Sequence, residues 1–161
     1  MIEKYDRTRH NKEDVKNLLA MAVGRPADER LKELLDVVYD IEGYLLYVTS
    51  DKDKVTGTRV TGIIGIDVSA SPHGWILHLA VHPDYRKQGI GRGLISQVME
   101  LLSLTSVGLE TDRDAVNFYR ACGFTAIEIP NKWTGVHRFR CTKGQPLKSV
   151  LEYYNNKKLT Y

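Results

Sequence analysis

The sequence is short of the residues that staple a chain or carry it across a membrane. Its 161 residues include only two cysteines, Cys122 and Cys141. At most one disulfide can form, and neither cysteine lies in a C-x-x-C or Cys/His spacing that would hold zinc. None is needed, because a chain of this length buries about 68–70% of the surface its unfolded form exposes. Reduced thiols and a cytoplasmic location are expected, since no basic start leads into an apolar segment and a small-residue cleavage site. No apolar run reaches the roughly 18 residues of a membrane span, because a charge or a histidine interrupts each one. An excess of one charge is missing too: 23 Lys and Arg stand against 20 Asp and Glu, a net of +3. With the acids spread along the chain, neither nucleic acid nor a membrane surface is an expected partner. The most basic stretch, Lys132 to Gly144, reads as a strand pair and loop; a nucleic-acid patch is its rival reading. Repeats and low-complexity segments are absent, and residues 1–161 are read as a single domain.

What is present is a clear alternation of helical and strand patterns. KEDVKNLLAMAV and DERLKELLDVVYD carry apolar residues at helical spacing, with Gly24 and Pro26 between them. YLLYVTS, RVTGIIGIDVS and WILHLAV are β-rich runs separated by polar or Gly/Pro turns, which predicts an antiparallel meander. Beyond Gly91, Leu94, Val98, Leu101 and Leu102 mark an amphipathic helix. SVGLET reads as a buried strand. DRDAVNFYRACGF reads as a short helix whose apolar face includes Ala115, Phe118, Tyr119 and Cys122, with Phe118 in the core. Asp112 or Asp114 can cap that helix, and Gly123 suits its left-handed exit. TAIEI and VHRFRCT supply two more strands, and Gly144 to Tyr161 forms a Tyr- and Lys-rich tail. The order βααβββαβαββ predicts an α/β fold, a mixed and mostly antiparallel sheet flanked by helices. Its central unit, Trp75 to Thr111, should be a parallel right-handed crossover.

The segment LAVHPDYRKQGIGRGLI, Leu79 to Ile95, combines the residues that suit an anion site. Cations at Arg86 and Lys87 precede glycines at alternate positions, where a strand gives way to a helix. Gly89 and Gly91 let a ligand approach main-chain N–H groups that have no intrahelical partner and lie at the positive end of the helix dipole. That combination binds anions. A P-loop, G-x-x-x-x-G-K-[ST], occurs nowhere. A dinucleotide fingerprint fits Gly89 and Gly91, with Glu110 at a suitable distance for a ribose, but fails at Leu94, and the turn from Pro83 to Gln88 is too long for it.

Arg86-x-x-Gly89-x-Gly91, directly after a strand ending LAVHP, resembles the coenzyme A pyrophosphate motif of the GNAT superfamily of acyl-CoA-dependent N-acetyltransferases. DRDAVNFYRACGF resembles the helix bearing that family's general-acid tyrosine, with A-x-x-x-Y-x-x-x-G-F matched at Ala115, Tyr119, Gly123 and Phe124. The resemblance covers roughly Trp75 to Phe124. It implies a GNAT-type fold and an acetyl-CoA-dependent N-acetyltransferase, with acetyl-CoA as cosubstrate and no metal. The acetyl group would pass by direct attack in a ternary complex to a primary amine of a small molecule or peptide. It implies further that Leu79, Ala80 and Val81 hold the pantetheine arm through their backbone. Arg86, Lys87, Gln88, Gly89, Ile90, Gly91 and Arg92 would surround the pyrophosphate, and Asp112, Asn117 and Tyr119 would complete the coenzyme contacts. Asp112 stands where many members have Asn. Tyr119 is the implied acid, since a phenol with a pKa near 10 can protonate a departing thiolate with a pKa of about 8.5.

The base is less defined. Where some members carry it, this chain has Trp75 and Leu77, neither of which takes a proton. Glu110, at the end of the next strand, is the preferred candidate for base or for binder of a cationic substrate. Asp67, His73 and a chain of waters are alternatives, and strand alternation puts His78 on the face opposite Trp75, Leu77 and Leu79. Trp75, Tyr44, Tyr47 and Trp133 are candidates to line an acceptor pocket. The missing dedicated base also leaves open a non-catalytic sensor of the coenzyme. An exposed strand edge near the C-terminus suits a homodimer.

Overall fold

The computed structural model describes residues 1–24, 27–53, 57–131, 135–145 and 148–156. In chain order these form β1 (Glu3–Lys4), α1 (Lys12–Ala22), α2 (Asp28–Asp36), β2 (Tyr44–Asp53), β3 (Gly57–Asp67), β4 (His73–Val81), α3 (Ile90–Leu101), β5 (Ser106–Asp112), α4 (Val116–Ala121), β6 (Thr125–Ile129), β7 (Arg138–Lys143) and α5 (Lys148–Asn156). The order βααβββαβαββ is thus observed, with one addition: α5 stands where a tail was expected. The strands form one sheet in the order β1-β2-β3-β4-β5-β7-β6. β4 and β5 are its parallel pair, and the other neighbours run antiparallel.

Each face of the sheet buries its own apolar cluster. On one side α1 and α2 bring Val15, Leu18, Leu19, Leu31, Leu34 and Leu35 against Leu46, Val48, Val60 and Ile63. On the other, Leu94, Ile95 and Val98 of α3 and Val116 and Tyr119 of α4 meet Ile64, Ile66, Val107 and Leu109. The entry of α1 follows from its sequence, because the Asn11 side chain accepts from the N–H groups of Glu13 and Asp14. Such a cap satisfies donors that the first helical turn leaves unpaired.

Two local features of β4 decide what the sheet can do. Its parallel pairing with β5 is confined to His73, Gly74 and Trp75 against Ser106, Val107 and Gly108. Beyond Trp75 the two strands separate, leaving a slot between Ile76–Val81 and the outer half of β5. The second feature is a bulge: His78 pairs with Gly65 but Ile76 with Ile66, so Leu77 is the extra residue. A bulge breaks strict alternation. This corrects the expected placement of His78. Ile76, Leu79 and Val81 face the α3/α4 cluster, while Leu77 and Ala80 pack on the α1/α2 side, where His78 also lies. Trp75 faces away from the α3/α4 cluster as well, since the next position, Gly74, points its Cβ direction at Ile66 and Leu104. His78 and Trp75 therefore share a face.

His78 is buried, and its Nδ1 shares a 2.5 Å hydrogen bond with the Tyr39 hydroxyl. Burial, aided by the Arg30 charge, pushes its pKa down from 6.5 to about 4. The folded state therefore holds fewer protons than the unfolded chain between those values, and stability rises with pH across them. Full stability is expected above pH 6.5, with a progressive loss as pH falls towards 4, reaching about 3 kcal/mol. Urea denaturation at pH 7.5 and 4.5 measures it. The His78→Asn variant should show a smaller difference between the two pH values, and an equal difference would remove His78 as the cause.

Candidate active site

The turn after β4 is built by its own side chains before any ligand is considered. His82 accepts the N–H of Asp84 through Nδ1, capping a single 3-10 turn at Pro83–Tyr85. The backbone then enters the left-handed region at Lys87, φ +60, and again at Gly89, φ +79. A lysine is rare there, and the strain it carries helps bend the chain back towards the sheet. Gly89 is the N-cap of α3, and its carbonyl accepts the N–H of Gly93 at 2.9 Å. The N–H groups of Ile90, Gly91 and Arg92 precede that first intrahelical bond and remain available at the positive helix end.

This helix end opens on a cleft of about 740 Å³ on the α3/α4 face of the sheet. Leu79, Ala80 and Val81 form one wall and Ala115, Phe118 and Tyr119 another, with Arg86, Lys87, Gly89, Ile90, Gly91 and Arg92 at the end. The N–H of His82 donates to the Thr61 carbonyl on β3. In an antiparallel ladder alternate residues turn to opposite neighbours, so Leu79 and Val81 turn their N–H groups to the open slot. The residues expected from the glycine motif and from the tyrosine helix are thereby brought to one cavity from opposite sides.

Gln88, Asp112, Asn117 and Glu110 do not line this cleft. The Gln88 amide donates to the Asp84 carbonyl, Asn117 accepts from Arg120, and Asp112 accepts the N–H of Ala115 at 3.0 Å. Asp112 thus closes the turn before α4, as a capping role requires, although the N-cap itself is Ala115. Phe118 was expected in the core; it is 40% exposed and forms cleft wall. Its ring lies so close to α3 that a Cβ on Gly91 would come within 2.9 Å of Phe118 Cζ. The sequence pattern could not distinguish a core ring from one lining a cavity, since both lie on the apolar face of a helix.

Tyr119 is 8% exposed and packs edge-on between Phe118 and Phe124, with centroids 5.0 and 5.6 Å away. Burial raises its pKa, and the neighbouring Cys141 and Cys122 add to the effect. Its proton is therefore retained at neutral pH. The cations are partly engaged already. Arg86 Nε donates to the Val81 carbonyl at 3.1 Å, and Arg92 donates to the Ala121 carbonyl at 2.6 Å, tying α3 to the end of α4.

Glu110 lies across the sheet. On β5, Val107, Leu109 and Thr111 are buried while Glu110 and Asp112 are exposed, and Gly108 directs its Cβ position at Trp75. Alternation puts Glu110 on the same face as Gly108 and Trp75, away from α4. Its Oε1 accepts from Arg140 at 2.7 Å. Of the other base candidates, His73 bonds to Ser106 and Asp67 to Ser69, both at the paired end of β4, away from the slot. Trp75, Tyr44 and Tyr47 are buried and do not line the cleft described above; Trp133 lies outside the described residues.

A family profile described as an acetyltransferase (GNAT) domain matches residues 42–126. No curated protein matches the chain in sequence. Among solved structures, an aminoglycoside 6'-N-acetyltransferase complexed with coenzyme A is 17% identical, covering 91% of this chain and 98% of its own, with a TM-score of 0.71. The ribosomal-protein-S18-alanine N-acetyltransferase from Escherichia coli is 18% identical, covering 91% and 94%, with a TM-score of 0.66. A chain of the NatC complex bound to Gag peptide and CoA is 20% identical, covering 91% and 98%, also with a TM-score of 0.66. At these identities the likeness is one of fold.

Proposed function

Since the chain belongs to the GNAT acetyltransferase family, we propose that it is a single-domain N-acetyltransferase spanning residues 1–161, which moves the acetyl group of acetyl-CoA to a primary amine. The observation that carries this reading is the convergence, on one cleft, of free helix N-terminal amides, an unpaired stretch of β4 and one buried, protonated phenol. What supports a coenzyme there is the lining: Arg86, Lys87 and Arg92 stand at one end of the cleft and an apolar wall runs from it to Tyr119. Its end offers amides and cations to a pyrophosphate, and its wall offers the Leu79 and Val81 N–H groups to a pantetheine arm.

The thioester supplies an activated acyl group. Leu79 and Val81 donate N–H groups where negative charge develops on the acyl oxygen, an arrangement that needs no reorganisation during reaction. Tyr119 holds a proton on its hydroxyl and delivers it to the departing sulfur as the C–S bond gives way to a C–N bond. Glu110 receives the proton lost by the amine, through water, from the opposite face of the sheet. Gln88 and Asp112 act on the coenzyme site only by holding its turns, Gln88 through the Asp84 carbonyl and Asp112 through the Ala115 N–H, and Asn117 takes its bond from Arg120 within α4.

Free-thiol release from acetyl-CoA in the presence of a panel of amines tests the assignment. A non-catalytic sensor would bind coenzyme and release none. The Tyr119→Phe variant should lose about 10²-fold in kcat, with coenzyme affinity little changed because the ring and its packing remain. Turnover equal to that of the parent would take Tyr119 out of the role.

A further inference from the structure

We infer that the Glu110–Arg140 pair selects an acceptor with an ammonium and a carboxylate on one carbon, that is, a free α-amino acid. The inference deepens the transferase reading and rests on it for the position of the reacting amine. It starts from where the slot opens. Pairing between β4 and β5 ends at Trp75 and Gly108, and Glu110 is the next residue of β5 on the Gly108 face. The cleft expected to hold the coenzyme lies on the α3/α4 face. An acceptor reaching the slot from the other face therefore meets Glu110 at its lip.

Glu110 does not stand alone there. Arg140 is its directly opposed cross-strand partner on β7, joined to it at 2.7 Å. Both side chains are partly shielded, Arg140 at 17% and Glu110 at 33% exposure. One rung further, Asp112 faces Arg138 in the same register. These two rungs present carboxylate beside guanidinium, two of each. A polyamine or a multiply cationic sugar would gain at Glu110 and lose at Arg140, since like charges brought together are penalised. A zwitterion gains at both. Because the two protein charges touch, the charges they receive must also be adjacent, as they are in an α-amino acid. Arginine suits the carboxylate side, as its planar fork matches two oxygens.

The experiment measures binding and turnover separately. Coenzyme A-loaded protein is titrated calorimetrically with a panel of free L-amino acids, with their amides, and with the corresponding amines lacking the carboxylate. Thiol release from acetyl-CoA is then followed with the same compounds. The expected result is an amino acid preferred about 10- to 100-fold over its amide and amine, the usual scale for losing a hydrogen bond to a charged group. Arg140→Gln should abolish that preference, weakening the amino acid and strengthening the amide and amine, which no longer meet a guanidinium, and Arg140→Lys should restore part of it. Equal binding of all three compound types, no binding by any amino acid, or a preference that survives Arg140→Gln would overturn the inference and leave the pair as a cross-strand ion pair alone. Selective binding with no thiol release would keep the Glu110–Arg140 pair as an amino-acid binding site while removing the transferase reading.

Discussion

Gly91→Glu is expected to eliminate coenzyme A binding while leaving a folded protein. In the parent, coenzyme at a hundredfold excess over Kd should stabilise the fold by about 2.7 kcal/mol. The variant should show no shift at the same concentration, corresponding to a loss of affinity of about 10³-fold or more, since like-charge juxtaposition costs several kcal/mol. Two effects combine. The new carboxylate stands in the first turn of α3, among the N–H groups that would hold a diphosphate. Its Cβ also displaces the Phe118 ring, 2.9 Å away, from the cleft wall. That ring is 40% exposed and can swing outward, so the clash need not unfold the domain. Gly91→Ala separates the two effects: it displaces the ring without adding charge and should weaken binding far less. A normal coenzyme-induced shift in Gly91→Glu would mean that the anion is held elsewhere.

Gly65→Ala should be the more damaging change to the fold, although it adds a single methyl. A Cβ at that position would lie 1.6 Å from the Tyr39 hydroxyl and 2.6 Å from Cζ of its ring, too close for a small adjustment. Tyr39 crosses β3 over this glycine to reach His78 on β4. Expelling it repacks the α1/α2 cluster and leaves a buried imidazole without its partner. Overpacking and a lost buried hydrogen bond together should cost about 4 kcal/mol, measured by urea denaturation at pH 7.5. Tyr39→Phe removes only the hydrogen bond and should cost about 1–3 kcal/mol. A Gly65→Ala protein as stable as the parent would show that Tyr39 does not need this passage.

The turn proposed to hold the coenzyme could be picked out in the sequence because it is local. An anion-binding helix start needs a strand, a turn with residues tolerant of unusual dihedrals, and an amphipathic helix, and all three are consecutive from Leu79 to Leu101. Tyr119 stood out as the candidate acid for a related reason: Ala115, Tyr119 and Gly123 belong to one short helix and its exit. Position relative to the sheet was less legible. The bulge at Leu77 leaves no mark in the apolar pattern, so strict alternation set His78 opposite Trp75 and Leu77, whose face it shares, although it does lie opposite Leu79 as expected. Phe118 carried the pattern of a core residue because a cleft wall and a core present the same apolar face to a helix. Arg140 was not singled out, since its place beside Glu110 depends on β7 inserting between β5 and β6.

The order of residues along the chain was enough to specify the elements, the glycine turn that opens α3 and the family, because these depend on neighbours a few positions apart. Three-dimensional packing alone decided that β4 and β5 part after Trp75, that Tyr119 is desolvated, and that a carboxylate and a guanidinium meet at the mouth of the slot. Each of these is a relation between strands or helices distant in sequence. No local propensity encodes such a relation; it is settled when the two faces of the sheet bury their apolar clusters and fix the register of β7 against β5.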